Sequence, residues 1–207
     1  MNKENVIKTL EELRKNEKRK FSQSFDLLIN LRSFDVKKES INLFIELPYK
    51  IKEKKICAFL NKKSEIVDTI TKPEFDIYKD KKKIKKLSKE YDFFISAASL
   101  MPQVASSFGK YLGTAGKMPS PQFGIAKEES EREIKEILTR ASKIVRVKSK
   151  EPSLKFSIGN ENMKNEEIAE NIIHAFSTIL NNLPKKKENL KSIMIKLTMT
   201  KPIKLEF

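Results

Sequence analysis

The chain changes texture twice along its length, and this change constrains the fold more than any other feature of the sequence. Between residues 55 and 150, the apolar runs ICAFL and YDFFISAA, typical of strands buried on both faces, alternate with the helical patterns KKIKKLSKEY, SLMPQVASSFGKYLG and KEESEREIKEILTRASK. Alternation of strands and helices predicts an α/β layer unit, which we expect the strand KIVRVKS to complete.

The two flanking segments are rich in strands and share a different texture. A short amphipathic helix, NVIKTLEELRKN, precedes SFDLLINL and SINLFIELP, whose β-type patterns suggest an antiparallel pair. After residue 152 come the strand SLKFSIG, the long helix NEEIAENIIHAFSTILNNL, and one or two strands in SIMIKLTMTKPIKLEF. Each end is incomplete alone, so we expect one α+β domain from residues 1–51 and 152–207, with residues 52–151 forming an inserted α/β domain.

The net charge indicates a polyanionic partner. The chain has 43 Lys and Arg against 28 Asp and Glu, a formal charge of +15, and its basic runs are spread over the whole length. A membrane-binding chain would gather its lysines on one amphipathic helix or beside a lipidation signal, and neither pattern is evident. Since no apolar run approaches the roughly 20 residues of a membrane span and no signal peptide is recognisable, we expect a cytoplasmic or nuclear protein.

Residues for conventional catalysis are scarce. Cys57 is the only cysteine and lies in the apolar run ICAFL, so we interpret it as a buried hydrophobic residue. His174 is the only histidine, has no partner for a metal site or a catalytic triad, and is interpreted as a structural residue of a helix. We therefore predict no metal, no cofactor and no enzymatic activity. A phosphate- or nucleotide-using enzyme is the alternative from another functional class.

The segment LGTAGKMPSPQFG holds three of the five glycines and two of the eight prolines. Its GTAGK turn is similar to a phosphate-binding loop, but the pattern G-x-x-x-x-G-K-[ST] would require glycine at Tyr111 and a hydroxyl residue at Met118. Because both positions fail, a rigid turn built from glycine and proline is the preferred interpretation.

The same segment resembles the signature LG-x-x-GKMP-x-P of the large-subunit ribosomal protein L-one family. The matching residues are Leu112-Gly113, Gly116-Lys117-Met118-Pro119 and Pro121. Similarity continues in KKLSKEYDFFISAASLMP, KFSQSFDLLINL, SIGNENMKNEEIAENI and LTMT, and KFSQSFDLLINL and EYDFFISAASLMP are closer to the archaeal and eukaryotic branch than to the bacterial one. By these motifs the chain is identified as a member of that family over nearly its whole length.

The resemblance implies a Rossmann-like three-layer α/β fold for the inserted domain and binding of large-subunit rRNA by the first domain. It also implies a structural role in the mobile stalk beside the tRNA exit site, where the protein assists release of exiting tRNA among other ribosomal components. An mRNA-binding translational regulator stays open as an alternative. The expected location is the large ribosomal subunit in the cytoplasm, or the nucleolus during assembly if the source is eukaryotic.

The resemblance also assigns RNA-binding positions in both chain ends. In this sequence they are Lys20, Phe21, Ser24, Asp26, Gly159, Asn160, Ser192, Thr198, Met199 and Thr200. These residue types suit RNA, because a ring stacks on a base, hydroxyls and a carboxylate meet a 2′-OH, and lysine meets phosphate. Ser24 and Asp26 share one face of a strand and are expected to form one patch. Two alternatives stay open: Phe21 as a core residue, and Lys117 as a secondary RNA contact or as part of a rigid turn.

Three motifs depart from the family pattern. Thr200-Lys201 replaces the Gly-Pro of TMGP, Asn160 replaces the Lys of IGK, and Tyr49-Lys50 replaces the His-Gly of LPHG. A β-branched residue in place of glycine blocks close approach of an RNA backbone. The sequence therefore predicts weaker RNA binding because of Thr200, and partial recovery through the cation of Lys201.

Overall fold

The computed structural model describes residues 2–17, 19–36, 38–39, 41–121, 123–149 and 151–206. Their α-helices are α1 (Lys3–Arg14), α2 (Lys81–Glu90), α3 (Met101–Ala115), α4 (Glu131–Lys143) and α5 (Asn165–Asn182). Their β-strands are β1 (Ser24–Leu31), β2 (Asn42–Glu46), β3 (Ile56–Leu60), β4 (Asp68–Thr71), β5 (Phe93–Ala97), β6 (Ile125–Ala126), β7 (Ile144–Lys148), β8 (Ser153–Asn160), β9 (Leu190–Leu197) and β10 (Ile203–Leu205). Short 3-10 helices occupy Lys72–Lys79, Ala98–Leu100 and Lys186–Asn189.

The chain forms two compact units. Both chain ends build the terminal unit, Met1–Lys52 with Lys143–Phe207, and the middle of the chain builds the central unit, Glu53–Ser142. The predicted fold class is confirmed, since antiparallel sheets and helices make up the terminal unit and a parallel sheet with helices makes up the central unit. Among the described residues, no helix is long and apolar enough to cross a membrane.

A four-stranded antiparallel sheet with the order β10-β9-β1-β8 is the frame of the terminal unit. In β1, Phe25, Leu27, Ile29 and Leu31 are buried, because successive side chains of a strand point to opposite faces and these four share one face. They join apolar residues of α1 and α5 in one hydrophobic core. Both helices therefore cover one face of the sheet and leave the polar face of β1 on the other side.

Three predicted strands are present, but the expected pairing of two of them and the expected placement of the third are wrong. SFDLLINL and SINLFIELP do not pair with each other, because β1 pairs with β8 and β9 while β2 pairs antiparallel with β7. The eight-residue β1 has eight-residue partners on both sides, which satisfies more backbone N–H and C=O groups than pairing with the five-residue β2 would. The strand KIVRVKS, predicted to complete the α/β unit, is β7 and lies in the terminal unit.

The central unit contains a parallel sheet with the order β4-β3-β5-β6. β3 is buried along its whole length, as its apolar sequence predicts. Phe59 of β3 stacks on Phe94 with ring centroids 5.7 Å apart, and Phe108 of α3 lies 4.9 Å from Phe59, so aromatic packing attaches α3 to the sheet. Cys57 is buried beside them, and this burial raises the pKa of its thiol to about 12.

Candidate nucleic-acid interface

Hydrogen bonds connect Ser24, Asp26 and Thr198 where β1 begins and β9 ends. Ser24 Oγ donates to Asp26 Oδ1 at 3.2 Å and lies 3.1 Å from Thr198 Oγ1. Thr198 Oγ1 also accepts from the backbone N–H of Ser24 at 3.1 Å. The structure thus brings together three residues, two of which, Ser24 and Thr198, are 174 positions apart in the sequence. We call Ser24, Asp26 and Thr198 the strand-end cluster.

Asp26 is the charged member of the strand-end cluster. It lies opposite Ser157 of β8 and Lys196 of β9 in the sheet register. Partial burial raises the pKa of its carboxyl group above the ordinary 3.8, while the hydrogen bond from Ser24 and the charge of Lys196 lower that pKa. The cluster therefore offers a carboxylate and two hydroxyls, with a cation on the neighbouring strand.

Gln23 is a residue of this region that the sequence interpretation did not single out. Its side chain is 1% exposed; Nε2 donates to Glu161 Oε1 at 3.1 Å, and Oε1 accepts from the backbone N–H of Met199 at 3.1 Å. The sequence pattern could have identified it, because Gln23 lies two residues before Phe25 and so points to the same, buried face of the strand. A polar side chain on that face requires hydrogen-bond partners. Gln23 ties the turn after β8 to the turn after β9.

Phe21 and Met199 are large apolar side chains left in solvent beside the strand-end cluster. Phe21 is 51% exposed and Met199 is 61% exposed, and Lys20 is exposed as well. The alternative of Phe21 as a core residue is therefore wrong. An exposed ring, an exposed thioether and a lysine next to bonded hydroxyls are the components of a surface that stacks on bases and contacts a sugar-phosphate backbone.

Gly159 and Asn160 end β8 and have partners inside the terminal unit. A Cβ at Gly159 would lie 2.9 Å from Ile168 Cγ1 of α5, so close packing of strand and helix requires glycine here. Asn160 Nδ2 donates to the carbonyl of Ile51 at 2.6 Å, and Asn160 Oδ1 accepts from the N–H of Asn162 at 2.9 Å. These contacts give both residues a role in packing, and their RNA contacts stay predictions.

Ser192 lies near the start of β9, whereas Thr198 follows the end of that strand, six residues or about 20 Å away in an extended chain. Its Oγ accepts from Asn30 Nδ2 at 3.0 Å, and Asn30 Oδ1 accepts from Ser153 Oγ at 2.9 Å. The structure therefore does not place Ser192 in the strand-end cluster. It places Ser192 in a second polar row that crosses β8, β1 and β9.

A mixed row lies between these two polar rows. In the sheet register Leu28 is opposite Lys155 of β8 and Met194 of β9, and Met194 is opposite Lys204 of β10. Leu28 and Met194 are half-buried and stand outside the hydrophobic core. The sequence interpretation missed these four residues, although the alternation that pairs Ser24 with Asp26 continues to Leu28. Two apolar side chains flanked by two lysines extend the candidate interface across the sheet.

Thr200 closes the turn that follows β9. Its Oγ1 accepts from the N–H of Leu197 at 2.9 Å, and its own N–H donates to the Leu197 carbonyl at 3.1 Å. Beside this turn lies a cleft of about 660 Å³. Its charged lining residues are Glu12, Lys15, Glu17, Arg19 and Lys201. The threonine that replaces the family glycine is thus part of the turn's own hydrogen bonding.

Lys117 lies in the turn that ends α3 in the central unit. Gly116 has a φ of 71°, and the N–H groups of Gly116 and Lys117 donate to carbonyls of the last turn of α3 at 3.0 and 2.8 Å. Lys117 Nζ donates to the carbonyls of Ser88 and Tyr91 at 2.7 and 2.8 Å. The backbone N–H groups of this turn therefore end α3, and the Lys117 side chain joins the turn to the end of α2. A secondary RNA contact by Lys117 stays a prediction.

The chemistry of the candidate interface is hydrogen bonding, stacking and charge. Within the ranges that the structure describes, no group of three or more His, Cys, Asp and Glu residues is placed to hold a metal ion. His174 is exposed on α5. The groups that the fold brings together at the candidate interface are hydroxyls, a carboxylate, an exposed ring and lysines.

Comparison with known proteins points to one family. Residues 13–201 match the model of the ribosomal protein L1p/L10e family. The chain is 33% identical over 219 residues to large ribosomal subunit protein uL1 of Pyrobaculum calidifontis, with 99% of this chain and 94% of that protein covered. Identity to the protein of the same name is 32% in Archaeoglobus fulgidus, with 96% of each chain covered, and 34% in Methanothermococcus thermolithotrophicus, with 100% of each covered.

Proposed function

Because the chain belongs to the ribosomal protein L1p/L10e family, we propose that it is a structural component of the large ribosomal subunit that binds large-subunit rRNA through the terminal unit. The observation that best supports this binding surface is the strand-end cluster, whose hydrogen-bonded hydroxyls and carboxylate lie beside the exposed Phe21 and Met199. The charge of +15 supports a polyanionic partner.

Each part of the surface has a chemical role toward RNA. The hydroxyls and carboxylate of the strand-end cluster accept and donate hydrogen bonds to ribose 2′-OH groups, which distinguish RNA from DNA. Phe21 stacks on an unpaired base, and Lys20 neutralises phosphate. Gln23 holds the Met199 backbone in place before RNA arrives, so less conformational entropy is lost on binding.

Family membership supports finer assignments, which we propose together with rRNA binding. The protein forms the mobile stalk beside the tRNA exit site and assists release of exiting tRNA there. An mRNA segment that presents the same helix-loop shape binds the same surface, which gives the protein a route to translational regulation. Both assignments depend on the terminal unit as the RNA-binding part.

The experiment is isothermal titration of the full chain with a helix-loop fragment of the large-subunit stalk RNA. Phe21→Ala should weaken binding by about 1–3 kcal/mol, or about 5-fold to 150-fold, if the ring stacks on a base. The matched control is Ile77→Ala in the central unit, since Ile77 is similarly exposed at 54%. Both substitutions remove an exposed side chain, so thermal unfolding should be unchanged in each.

The salt dependence of the affinity is a second test in the same titration. Affinity should fall steeply as salt rises, because neutralised phosphates release counterions. Equal affinity of wild type, Phe21→Ala and Ile77→Ala, or a flat response to salt, would contradict binding through this surface.

A further inference from the structure

Helix α2 of the central unit is unusually rich in one charge. It carries six lysines and one glutamate in ten residues. Ile84 and Leu87 are its buried residues and anchor it in the core of the central unit. Asp80 caps the first turn by accepting from the N–H of Lys82 at 2.9 Å. The helix is therefore fixed in place by groups other than its lysines.

The lysines of α2 present one outward face. At 3.6 residues per turn, Lys82, Lys85, Lys86 and Lys89 lie opposite the stripe formed by Ile84 and Leu87. All four are exposed, and none has an ion-pair partner among the residues that the structure describes. We call these four residues the lysine face.

The lysine face is unfavourable for the isolated protein. Lys82 and Lys86 are like charges at i,i+4, as are Lys85 and Lys89, and such pairs destabilise a helix. Lys82 also lies in the first turn of α2, where the helix dipole is positive and no acidic residue is present, so its cation is unfavourable there as well. A polyanion bound along this face would remove both kinds of repulsion.

We propose that the lysine face is a second RNA surface, distinct from the candidate interface of the terminal unit, which binds the phosphate backbone of double-helical RNA without reading its sequence. Lysine supplies phosphate contacts that position a protein and carry no sequence information. The lysine face offers no aromatic ring or guanidinium for base recognition. Contact with backbone alone is the binding mode that this composition supports.

The chemistry of α2 favours RNA over two other acidic partners. A membrane would require apolar side chains next to the lysines, and Ile84 and Leu87 are buried instead. The centre of a protein interface is depleted in lysine and built around aromatic residues and arginine. Membership of a ribosomal protein family agrees with RNA as the partner.

The test uses the full chain and a 20-base-pair RNA duplex of arbitrary sequence as the probe, with fluorescence anisotropy at several salt concentrations. One triple variant changes Lys82, Lys86 and Lys89 to Gln. The control triple variant changes Lys62, Lys72 and Lys127 to Gln, three exposed lysines of the same unit, so both lose the same charge. Both proteins are also titrated with the stalk RNA fragment, and their folding is checked by circular dichroism.

The lysine-face variant should lose roughly tenfold in duplex affinity at low salt, and its slope of log affinity against log salt should become shallower by about three, one per lost phosphate contact. The control should change much less in both quantities. The lysine-face variant should be as stable as wild type or more stable, because repulsion is relieved and glutamine keeps the helix propensity of lysine.

Three results would overturn the proposal. These are an unchanged affinity for the duplex, an equal loss in both triple variants, and lysine-dependent binding to polyglutamate or to phosphatidylserine vesicles with no such binding to the duplex. The stalk RNA fragment separates this proposal from the proposed function. If Phe21→Ala weakens binding of that fragment while the lysine-face variant leaves duplex binding intact, rRNA binding by the terminal unit stands and the second surface is rejected.

Discussion

Replacing Gln23 by leucine is expected to lower the free energy of unfolding by about 2 kcal/mol. The change removes the hydrogen bond from Gln23 Nε2 to the Glu161 carboxylate and the one that Gln23 Oε1 accepts from the Met199 N–H. A bond to a charged group contributes about 1.5–3 kcal/mol and a neutral one about 0.5–1.5 kcal/mol. Because Glu161 and Met199 keep some access to water, and because leucine gains roughly 1 kcal/mol or more from burial, the lower part of the summed range applies.

The assay is chemical unfolding followed by circular dichroism. The control is Gln103→Leu, because Gln103 is exposed on α3 and the same substitution there should change stability by less than about 0.5 kcal/mol. RNA binding is then measured at a temperature where both variants are fully folded. Fixing the backbone of one released residue costs about 1–2 kcal/mol, so Gln23→Leu should bind the stalk RNA fragment about 5-fold to 30-fold more weakly.

Two results would refute this reasoning about Gln23. A stability within about 0.5 kcal/mol of wild type would mean that the two hydrogen bonds contribute no net free energy. A loss of stability with unchanged RNA affinity of the folded protein would mean that Gln23 supports the fold but does not position Met199 for RNA.

Three further predictions concern the same unit. Gly159→Ala should lower the free energy of unfolding by about 1–3 kcal/mol, and Ile168→Ala in the same chain should recover part of that loss in a double-mutant cycle, because the added Cβ would lie 2.9 Å from Ile168 Cγ1. The pKa of Asp26, followed by NMR titration, should lie above 3.8 and should rise further in Lys196→Gln. Because the folded-state pKa of Asp26 is raised, its contribution to stability is fully present below the unfolded pKa and is lost as pH rises through the folded pKa. The stability of Asp26→Asn should therefore fall less than that of wild type as pH rises above about 4. Thr200→Gly should tighten binding of the stalk RNA fragment, because it removes a β-branched side chain, and should lower stability by about 1 kcal/mol through the lost hydrogen bond to the end of β9. A fall in RNA affinity would instead mean that the threonine hydroxyl orders the turn for RNA.

Local patterns predicted the elements of this fold better than their pairing. The alternation in SFDLLINL identifies both the strand and its buried face, because burial of a strand depends on its own period of two. The partners of β1 come from residues more than 120 positions later, and no local pattern records which strand is long enough to satisfy its backbone groups. The expected pairing of β1 with β2 failed for this reason.

Motif similarity located the candidate interface but did not separate its contact residues from its supporting ones. Phe21 and Met199 are exposed and free to meet a partner, whereas Gly159 is held against Ile168. The supporting residue Gln23 belongs to no motif and can be identified only as a polar residue at a position where strand alternation predicts burial. A motif records that a residue type recurs, and only the three-dimensional contacts show whether that residue faces solvent or the core.

The departure from LPHG shows how the structure tolerates a change that sequence comparison marks as significant. Asn171 of α5 is fully buried, and its side chain accepts from the backbone N–H of Tyr49 at 2.9 Å and donates to the backbone carbonyls of Tyr49 and Ile158 at 3.1 Å. These bonds depend on the backbone at position 49 and not on its side chain, so tyrosine fits where the family has histidine. The Tyr49 side chain is 37% exposed, which leaves the buried amide network unaffected by the substitution.

The strand-end cluster also explains why the candidate interface requires both ends of the chain. Ser24 and Asp26 come from β1, and Thr198 follows β9, so the hydrogen bonds between Ser24 and Thr198 form only after two segments 174 residues apart have paired. The entropic cost of closing such a loop grows only slowly with its length, so an insertion of about ninety residues between the two ends adds little to it. The antiparallel pair of β2 and β7 joins the chain entering the insertion to the chain leaving it, within the terminal unit itself. The terminal unit can therefore hold its binding surface in a fixed geometry while the central unit presents the separate lysine face.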